Sequence, residues 1–194
     1  MKTPATRILG IIAIVASPWI FIDFVNNGLY DRFVLTSASG IRSFIFMTGW
    51  ICSMLGLYKL EAMGTKKWQR TIMIIQIMLL CLAEVWCIIE IFAPGSPSKL
   101  FYVLNFSWPL AGMFMMIIGI VILLAKRLKG WRRYIPLLAG LWFPQTILIY
   151  FIGEKNSITL LLLSGIYSVI AFSLLGFVLV TENELTTMQP VYRP

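Results

Sequence analysis

The sequence contains no histidine, and this absence excludes several kinds of functional site. Without histidine there is no histidine-ligated haem, di-iron or zinc site, no Ser-His catalytic triad and no histidine proton shuttle. Charged residues are also scarce, at 12% of 194 residues, which is about half the usual share for a soluble domain. The composition therefore excludes a soluble enzyme and a disordered segment.

Cysteine is rare as well, and its positions exclude a redox centre. Cys52, Cys81 and Cys87 form no C-x-x-C pair, and each lies within an apolar stretch, where cysteine usually packs as a small apolar side chain. The sequence also lacks a glycine-rich phosphate loop and a serine nucleophile motif. We therefore expect no cofactor, no metal site and no catalytic residues of a known kind.

Long apolar stretches are the main feature that is present. Hydrophobic residues make up 59% of the chain, and the mean hydropathy is +0.87. A helix needs about 20 residues to cross the hydrocarbon core of a bilayer, and six segments meet this requirement. The predicted spans are 8–25, 41–60, 71–93, 106–125, 134–152 and 158–181. We predict an all-α bundle of six transmembrane helices forming one domain, residues 1–181, with an uncleaved first span and a short cytoplasmic tail, residues 182–194.

The basic residues predict how this bundle is oriented. With the N-terminus inside, twelve lysines and arginines lie on the cytoplasmic side and four, Arg32, Arg42, Lys99 and Lys155, lie outside. An excess of basic residues in the inner loops is typical of membrane proteins, so both termini are predicted to be cytoplasmic. The basic loops are expected to contact anionic lipid and not nucleic acid. The expected location is the cell membrane, either a plasma membrane or a bacterial inner membrane.

Two cytoplasmic turns have similar sequences and suggest an internal repeat. Each contains a glycine followed by Trp-x-Arg-x-Ile, with the tryptophans at Trp68 and Trp131. A duplication would make spans two and three, and spans four and five, into parallel helical hairpins. The alternative is that glycine as a helix stop, basic residues on the inside and tryptophan at the interface produce both turns without a common origin.

Two carboxylates lie inside the third predicted span. A charged side chain at the bilayer centre costs about 2.5–3.5 kcal/mol, so Glu84 and Glu90 both require an explanation. Their separation of six residues points them about 120° apart, which argues against a shared proton. Glu84 has no basic residue at its own depth, and we expect it to be neutral for much of the time. The candidate ligand- or ion-binding residues at this depth are Glu84, Gln145, Tyr167 and Thr48.

A second polar group is predicted near the outer ends of the first three spans. Arg42 is expected to pair with Glu90 or with Asp23, since the three side chains share one depth. This predicted outer cluster consists of Asp23, Arg42, Glu90 and Asn105, with Asn26 and Asn27 as further members. Two interpretations remain open: an ion pair that joins three helices, or the vestibule of a solute or ion site.

Proline and small residues predict local features of the spans. Pro144 should kink the fifth span and free carbonyl groups beside Gln145, which would either line a cavity or mark an ordinary packing kink. Pro18 is a second candidate for such a break. Small residues recur at helical spacing in three spans and predict close helix contacts, within the chain or between copies. They are Gly49, Ser53, Gly56, Gly112, Gly119, Gly165, Ser168, Ser173 and Gly176.

Two classes of function fit these features. The first is a transporter, channel or solute-binding membrane subunit with an intramembrane polar site around Glu84, which predicts a connected polar cavity. The second is a non-catalytic sensor or partner-docking subunit, a homo-oligomer or the partner of another membrane protein. It predicts a dry core and a stripe of small residues facing lipid. A lipid-modifying enzyme that relies on carboxylates alone is the least favoured class.

Overall fold

The computed structural model describes residues 4–28, 35–95, 98–152 and 158–186. Helices account for 89% of these residues, and no strand occurs among them. The α-helices in the described chain are α1 (Pro4–Ala16), α2 (Pro18–Gly28), α3 (Ser37–Lys59), α4 (Lys67–Phe92), α5 (Lys99–Ala125), α6 (Ile135–Ile152) and α7 (Ile158–Thr186). A short 3-10 helix, Gly130–Tyr134, precedes α6.

Five helical stretches in the described residues are long and apolar enough to cross a membrane, which indicates a membrane protein. They are Ala5–Asn26, Ser37–Lys59, Lys67–Phe92, Lys99–Ala125 and Leu162–Glu182. The prediction of an all-helical membrane bundle is therefore confirmed in its coarse form. The remaining predicted span, 134–152, coincides with the 18-residue helix α6 but is not among these five stretches.

Capping side chains explain why two helices begin earlier than the apolar pattern predicts. α3 begins at Ser37 because the Thr36 side chain accepts a hydrogen bond from the Ser39 N–H at 3.0 Å. α5 begins at Lys99 because the Ser98 hydroxyl accepts one from the Phe101 N–H at 3.2 Å. Hydropathy alone does not register the small, polar first turn of α3, and it does not locate the cap at Ser98 before the largely apolar first turn of α5.

The C-terminal end of α7 also differs from the prediction. The helix continues to Thr186, whereas the sequence analysis begins the tail at residue 182. Glu182 is buried and forms an ion pair of 2.8 Å with Arg132 of the 3-10 helix. The start of the predicted tail therefore belongs to the packed bundle, and residues 187–194 lie outside the described part of the chain.

The prolines within the spans have different effects. Before Pro18 the first span divides into α1 and α2, and the Ser17 hydroxyl bonds to the Ile14 carbonyl at 2.9 Å and to the Ser173 hydroxyl at 2.6 Å. These bonds stabilise the break, since proline lacks an N–H and clashes with the preceding turn. In contrast, α6 continues through Pro144 and α5 through Pro109.

The helices form a closed ring. From α3 onward each helix packs against the next one in the chain, α1 and α2 both pack against α3 and α7, and α7 completes the circle. At the α1–α7 contact, a Cβ atom on Gly10 would lie 2.7 Å from the carbonyl oxygen of Gly176, and the reverse distance is the same. Only glycine allows two helix backbones to approach so closely.

The other recurring glycines also contact helices of the same chain. A side chain on Gly49 would collide with Ala16 of α1, one on Gly56 with Leu179 of α7, and one on Gly119 with the backbone of Leu137 in α6. The small residues therefore serve contacts within the ring. The sequence left open whether the small residues make contacts within the chain or between copies, and at these three positions the contacts are within the chain.

Aromatic rings fill the centre of the bundle. Phe46 and Trp50 of α3, Trp142 of α6 and Phe172 of α7 are all buried, and their ring centroids lie 5.0 to 6.4 Å apart. Most of these pairs have the edge-to-face geometry that aromatic rings favour. This part of the interior is closely packed with aromatic side chains.

Candidate functional site

The loops joining α3 to α4 and α5 to α6 lie at one end of the ring, which we call the basic end. The opposite end carries a group of polar side chains that we call the outer cluster: Asp23, Ser39, Arg42 and Glu90. Its core is an ion pair in which the Arg42 Nε lies 2.8 Å from the Asp23 Oδ1. The Ser39 hydroxyl donates to the other Asp23 oxygen at 3.1 Å. Sequence reasoning placed Asp23 and Arg42 at one depth but missed Ser39.

Two features of the backbone bring these side chains together. Ser39 and Arg42 are three residues apart, so they lie on the same face of α3, and that face meets Asp23 of α2. The N-cap at Thr36 begins α3 early enough for Ser39 to be helical. The pair is well removed from solvent, with side-chain exposures of 16% for Arg42 and 6% for Asp23.

Glu90 is the exceptional member of the outer cluster. It is fully buried, at 0% exposure, and neither of its carboxylate oxygens has a hydrogen-bond partner among the described residues. It lies on the inward face of α4, where a Cβ on Gly40 of α3 would lie 2.8 Å from the backbone nitrogen of Ile91. The Asp23 carboxylate repels the charge of an ionised Glu90. The Ser39 hydroxyl favours that charge by hydrogen bonding, although it does not reach the distance and angle of a full hydrogen bond. Arg42 balances the charge of Asp23, so the charge of an ionised Glu90 has no counterpart in this cluster.

The predicted asparagine members do not join the outer cluster as far as the structure describes them. Asn26 donates to the Ile22 carbonyl of its own helix at 2.9 Å. Asn105 lies on α5, which packs against α4 and α6, and its side chain makes no hydrogen bond within the described chain. The side chain of Asn27 lies outside the described residues.

Glu84 contacts a different partner, the hydroxyl group of Thr48 on α3, as the matched depths of the two residues suggested. The same hydroxyl also lies 3.0 Å from the Phe44 carbonyl. A hydroxyl carries one proton and donates to one of these acceptors at a time. A protonated Glu84 that donates to Thr48, which in turn donates to Phe44, satisfies both contacts.

The Thr48–Glu84 pair faces the outside of the ring and not its centre. Both side chains are half-buried, and the neighbouring α4 residues Cys81, Val85 and Ile88 are exposed. The interior face of α4 is instead formed by other positions, among them Leu80, Ala83, Cys87 and Glu90. The pair is therefore a contact on the lipid-facing side of the α3–α4 boundary.

Gln145 and Tyr167, the other two predicted members of this site, lie elsewhere. Tyr167 donates its hydroxyl proton to the Leu138 carbonyl of α6 at 2.7 Å. The Gln145 Oε1 is buried with no hydrogen-bond partner in the part of the chain that the structure describes. Their helices pack with each other, whereas α4 packs with α3 and α5. Equal depth in the membrane did not make these residues neighbours of Glu84.

Comparisons with known proteins leave the geometry as the only guide to function. No family model, curated protein or solved structure matches the chain. Within the described residues, no group of three or more Cys, Asp or Glu side chains is placed to hold a metal ion. The unpartnered carboxyl of Glu90 is thus the site residue that most requires a functional explanation.

The basic end contains two concave features. One, of about 150 Å³, lies beside the α3–α4 loop around the exposed Glu61–Arg70 ion pair, whose N–O distance is 3.0 Å. The other is a groove of about 430 Å³ between the start of α4 and the end of α5. Sequence reasoning found the basic residues here but not the groove, because a concave surface depends on how α4 and α5 pack.

The two loops at this end differ in local structure. α4 begins directly as an α-helix at Lys67, whereas α6 is preceded by the 3-10 helix that holds Trp131. Trp131 stacks on Phe177 of α7, with the ring planes 18° apart, although Trp131 and Trp68 are equally exposed, at 51% and 50%. The internal repeat remains a prediction.

Proposed function

We propose that the chain is an integral membrane protein with six spans, in which α6 crosses the membrane in addition to the five candidate stretches, and with both termini in the cytoplasm. The position of α6 in the ring supports this, since it packs between α5 and α7 like any other span. The distribution of charge supports the orientation, because most of the basic residues belong to the predicted inner loops. On this topology the outer cluster lies near the outer surface of the membrane.

We further propose that this protein binds a small monovalent cation at Glu90, as a solute-binding subunit or a transporter. The observation that carries the proposal is the fully buried carboxyl group with two unpartnered oxygens. An isolated buried carboxylate is costly, and ionisable groups inside membranes usually pair with one another or mark the path of an ion or substrate. A cation bound at Glu90 would supply the missing charge and the missing contacts.

The chemistry of the surroundings favours a monovalent cation. Asp23 is already neutralised by Arg42, so one negative charge remains in the outer cluster when Glu90 is ionised. Alkali cations and small ammonium groups carry one charge. An alkali cation can be coordinated by the Glu90 carboxylate and the Ser39 hydroxyl oxygen, and an ammonium group can donate hydrogen bonds to the same oxygens. A divalent cation would require more carboxylates than this cluster offers.

A second candidate function is a partner-docking or sensor subunit. The packed aromatic centre around Trp50 and Trp142 favours it, because a transport path requires space within the bundle. The glycines argue in the opposite direction, since Gly10, Gly49 and Gly119 contact helices of the same chain and not a lipid-facing surface.

The experiment is a thermal-unfolding titration of the purified chain with sodium, potassium and methylammonium chloride, at constant ionic strength maintained with N-methyl-D-glucamine. We expect at least one of these cations to raise the Tm of the wild type and of Glu84→Gln, but not of Glu90→Gln. Glu84→Gln is the matched control, since it makes the same change six residues away on the same helix. Equal stabilisation of both variants, or no stabilisation of the wild type, would contradict the proposal.

A further inference from the structure

The groove between α4 and α5 at the basic end combines positive charge with an apolar wall. Its volume is about 430 Å³. Lys66 and Trp68 line it from the α4 side, Val121 and Leu124 line it from α5, and Arg127 contributes from the loop that follows α5. The two cations belong to different loops of the chain, yet they border the same depression.

These two cations have no acidic partner in the described part of the chain. The same is true of Lys59 and Lys129, but only Lys66 and Arg127 of these four line the groove. Three arginines are engaged: Arg70 with Glu61, Arg132 with Glu182, and Arg133 with the ring of Tyr134. The charges of Lys66 and Arg127 therefore remain available to a ligand. Two cations that border one depression suit a phosphate group, which accepts hydrogen bonds from both lysine and arginine.

The start of α4 adds to the positive potential of the groove. Its first turn contains no acidic residue, and Lys66 and Lys67 stand at the N-terminal end of a 26-residue helix. The helix dipole places partial positive charge at this end, and the two lysines add to it. A bound anion would therefore be stabilised here.

The apolar part of the groove identifies the kind of anion. Leu124 is 72% exposed, and with Val121 it forms an apolar surface next to the charged rim of Lys66 and Arg127. Trp68 is 50% exposed at the same level, and tryptophan prefers the boundary between hydrocarbon and headgroups. A free phosphate ion would contact only the rim, whereas a lipid fills both parts.

We propose that this groove binds one anionic glycerophospholipid, with its phosphate between Lys66 and Arg127 and an acyl chain along Val121 and Leu124. The lipid bridges the start of α4 and the end of α5 at the basic end of the ring. The chain itself links these two helices only at the opposite end, after Phe92. This site is separate from the outer cluster, and neither proposal depends on the other.

The test measures binding of phosphatidylglycerol to the purified chain in detergent by native mass spectrometry, together with the rise in Tm. Phosphatidylcholine and sodium phosphate are tested in parallel to separate the lipid from its charge and from free phosphate. We expect the double variant Lys66→Gln, Arg127→Gln to bind phosphatidylglycerol about thirtyfold more weakly. The matched control is Lys59→Gln, Lys129→Gln, which removes two cations at the same end that do not line the groove, and it should bind like the wild type.

A second variant tests the groove without changing its charge. Ala125→Trp places an indole in the depression and should also weaken phosphatidylglycerol binding, while the Tm without lipid shows that the variant is folded. The proposal fails if the control double variant loses as much affinity as the groove variant, or if phosphatidylcholine or sodium phosphate stabilises the wild type equally. Glu90→Gln should bind phosphatidylglycerol like the wild type, so the lipid proposal is tested independently of the cation site in the outer cluster.

Discussion

The outer cluster and the Thr48–Glu84 pair place carboxylates of the same helix in opposite situations. Glu84 is half-buried, faces the outside of the ring and contacts the Thr48 hydroxyl. Glu90 is fully buried and has no hydrogen-bond partner in the described chain, although the Asp23–Arg42 ion pair belongs to the same cluster. Pairing accounts for the positions of the other charged groups but not for that of Glu90, and this difference is the basis for proposing a cation site there.

The largest effect is expected when the ion pair of the outer cluster is broken. Asp23→Ala leaves the largely buried Arg42 without its carboxylate, and removing one partner of a buried pair costs about 3–5 kcal/mol. The free energy of unfolding in a detergent titration measures this loss.

The exposed Glu61–Arg70 pair supplies the matched control, because its side chains are 45% and 50% exposed. Glu61→Gln should cost less than about 1 kcal/mol. If Asp23→Ala lowers the free energy of unfolding by as little as Glu61→Gln does, Arg42 must have another partner. The contrast between the paired Asp23 and the unpartnered Glu90 would then disappear.

A smaller effect of opposite sign is expected at Glu90. Glu90→Met replaces an unpartnered buried carboxyl with an apolar side chain of similar length, so the variant should be more stable than the wild type by about 1–3 kcal/mol. The same unfolding titration tests it, and the variant should lose any stabilisation by monovalent cations. Destabilisation by Glu90→Met would assign Glu90 a structural role and remove the distinction from Asp23.

The smallest effect is expected at Glu84. In Glu84→Gln the amide donates to Thr48, which still donates to Phe44, so the stability should stay within about 0.5 kcal/mol of the wild type. Infrared difference spectroscopy should show the carbonyl band of a protonated carboxyl in the wild type and its loss in Glu84→Gln. A carboxylate band in its place would mean that the Thr48 hydroxyl donates to Glu84 and leaves Phe44.

The sequence was sufficient to predict where the apolar helices lie along the chain but not how they are arranged around the ring. Apolar length located the five candidate spans and the helix α6, and charge at a common depth suggested the partners Asp23 and Arg42. Depth also grouped Gln145 and Tyr167 with Glu84, yet their helices pack on the other side of the ring. Hydropathy separates the residues within an apolar span from those at its ends. Which helices are neighbours around the ring depends on side-chain packing instead.

Ser39 and the basic groove show two further limits of the sequence. Ser39 carries a signal, since it lies one helical turn from Arg42, but a serine in a membrane helix usually bonds to its own backbone, as Ser53 does with the Gly49 carbonyl at 3.1 Å. The groove carries no signal at all in the linear sequence, because Lys66 and Arg127 meet only through the contact of α4 with α5.

The contact between Gly10 and Gly176 has a consequence for how the protein is made. Because α1 is synthesised well before α7, its glycine face remains uncovered until α7 follows. Until then the glycine face of α1 is free to pack against other helices in the translocation machinery or the surrounding bilayer. Correct assembly thus depends on the time between the synthesis of α1 and that of α7, and slow translation of the intervening chain should favour capture of α1 by the wrong neighbour.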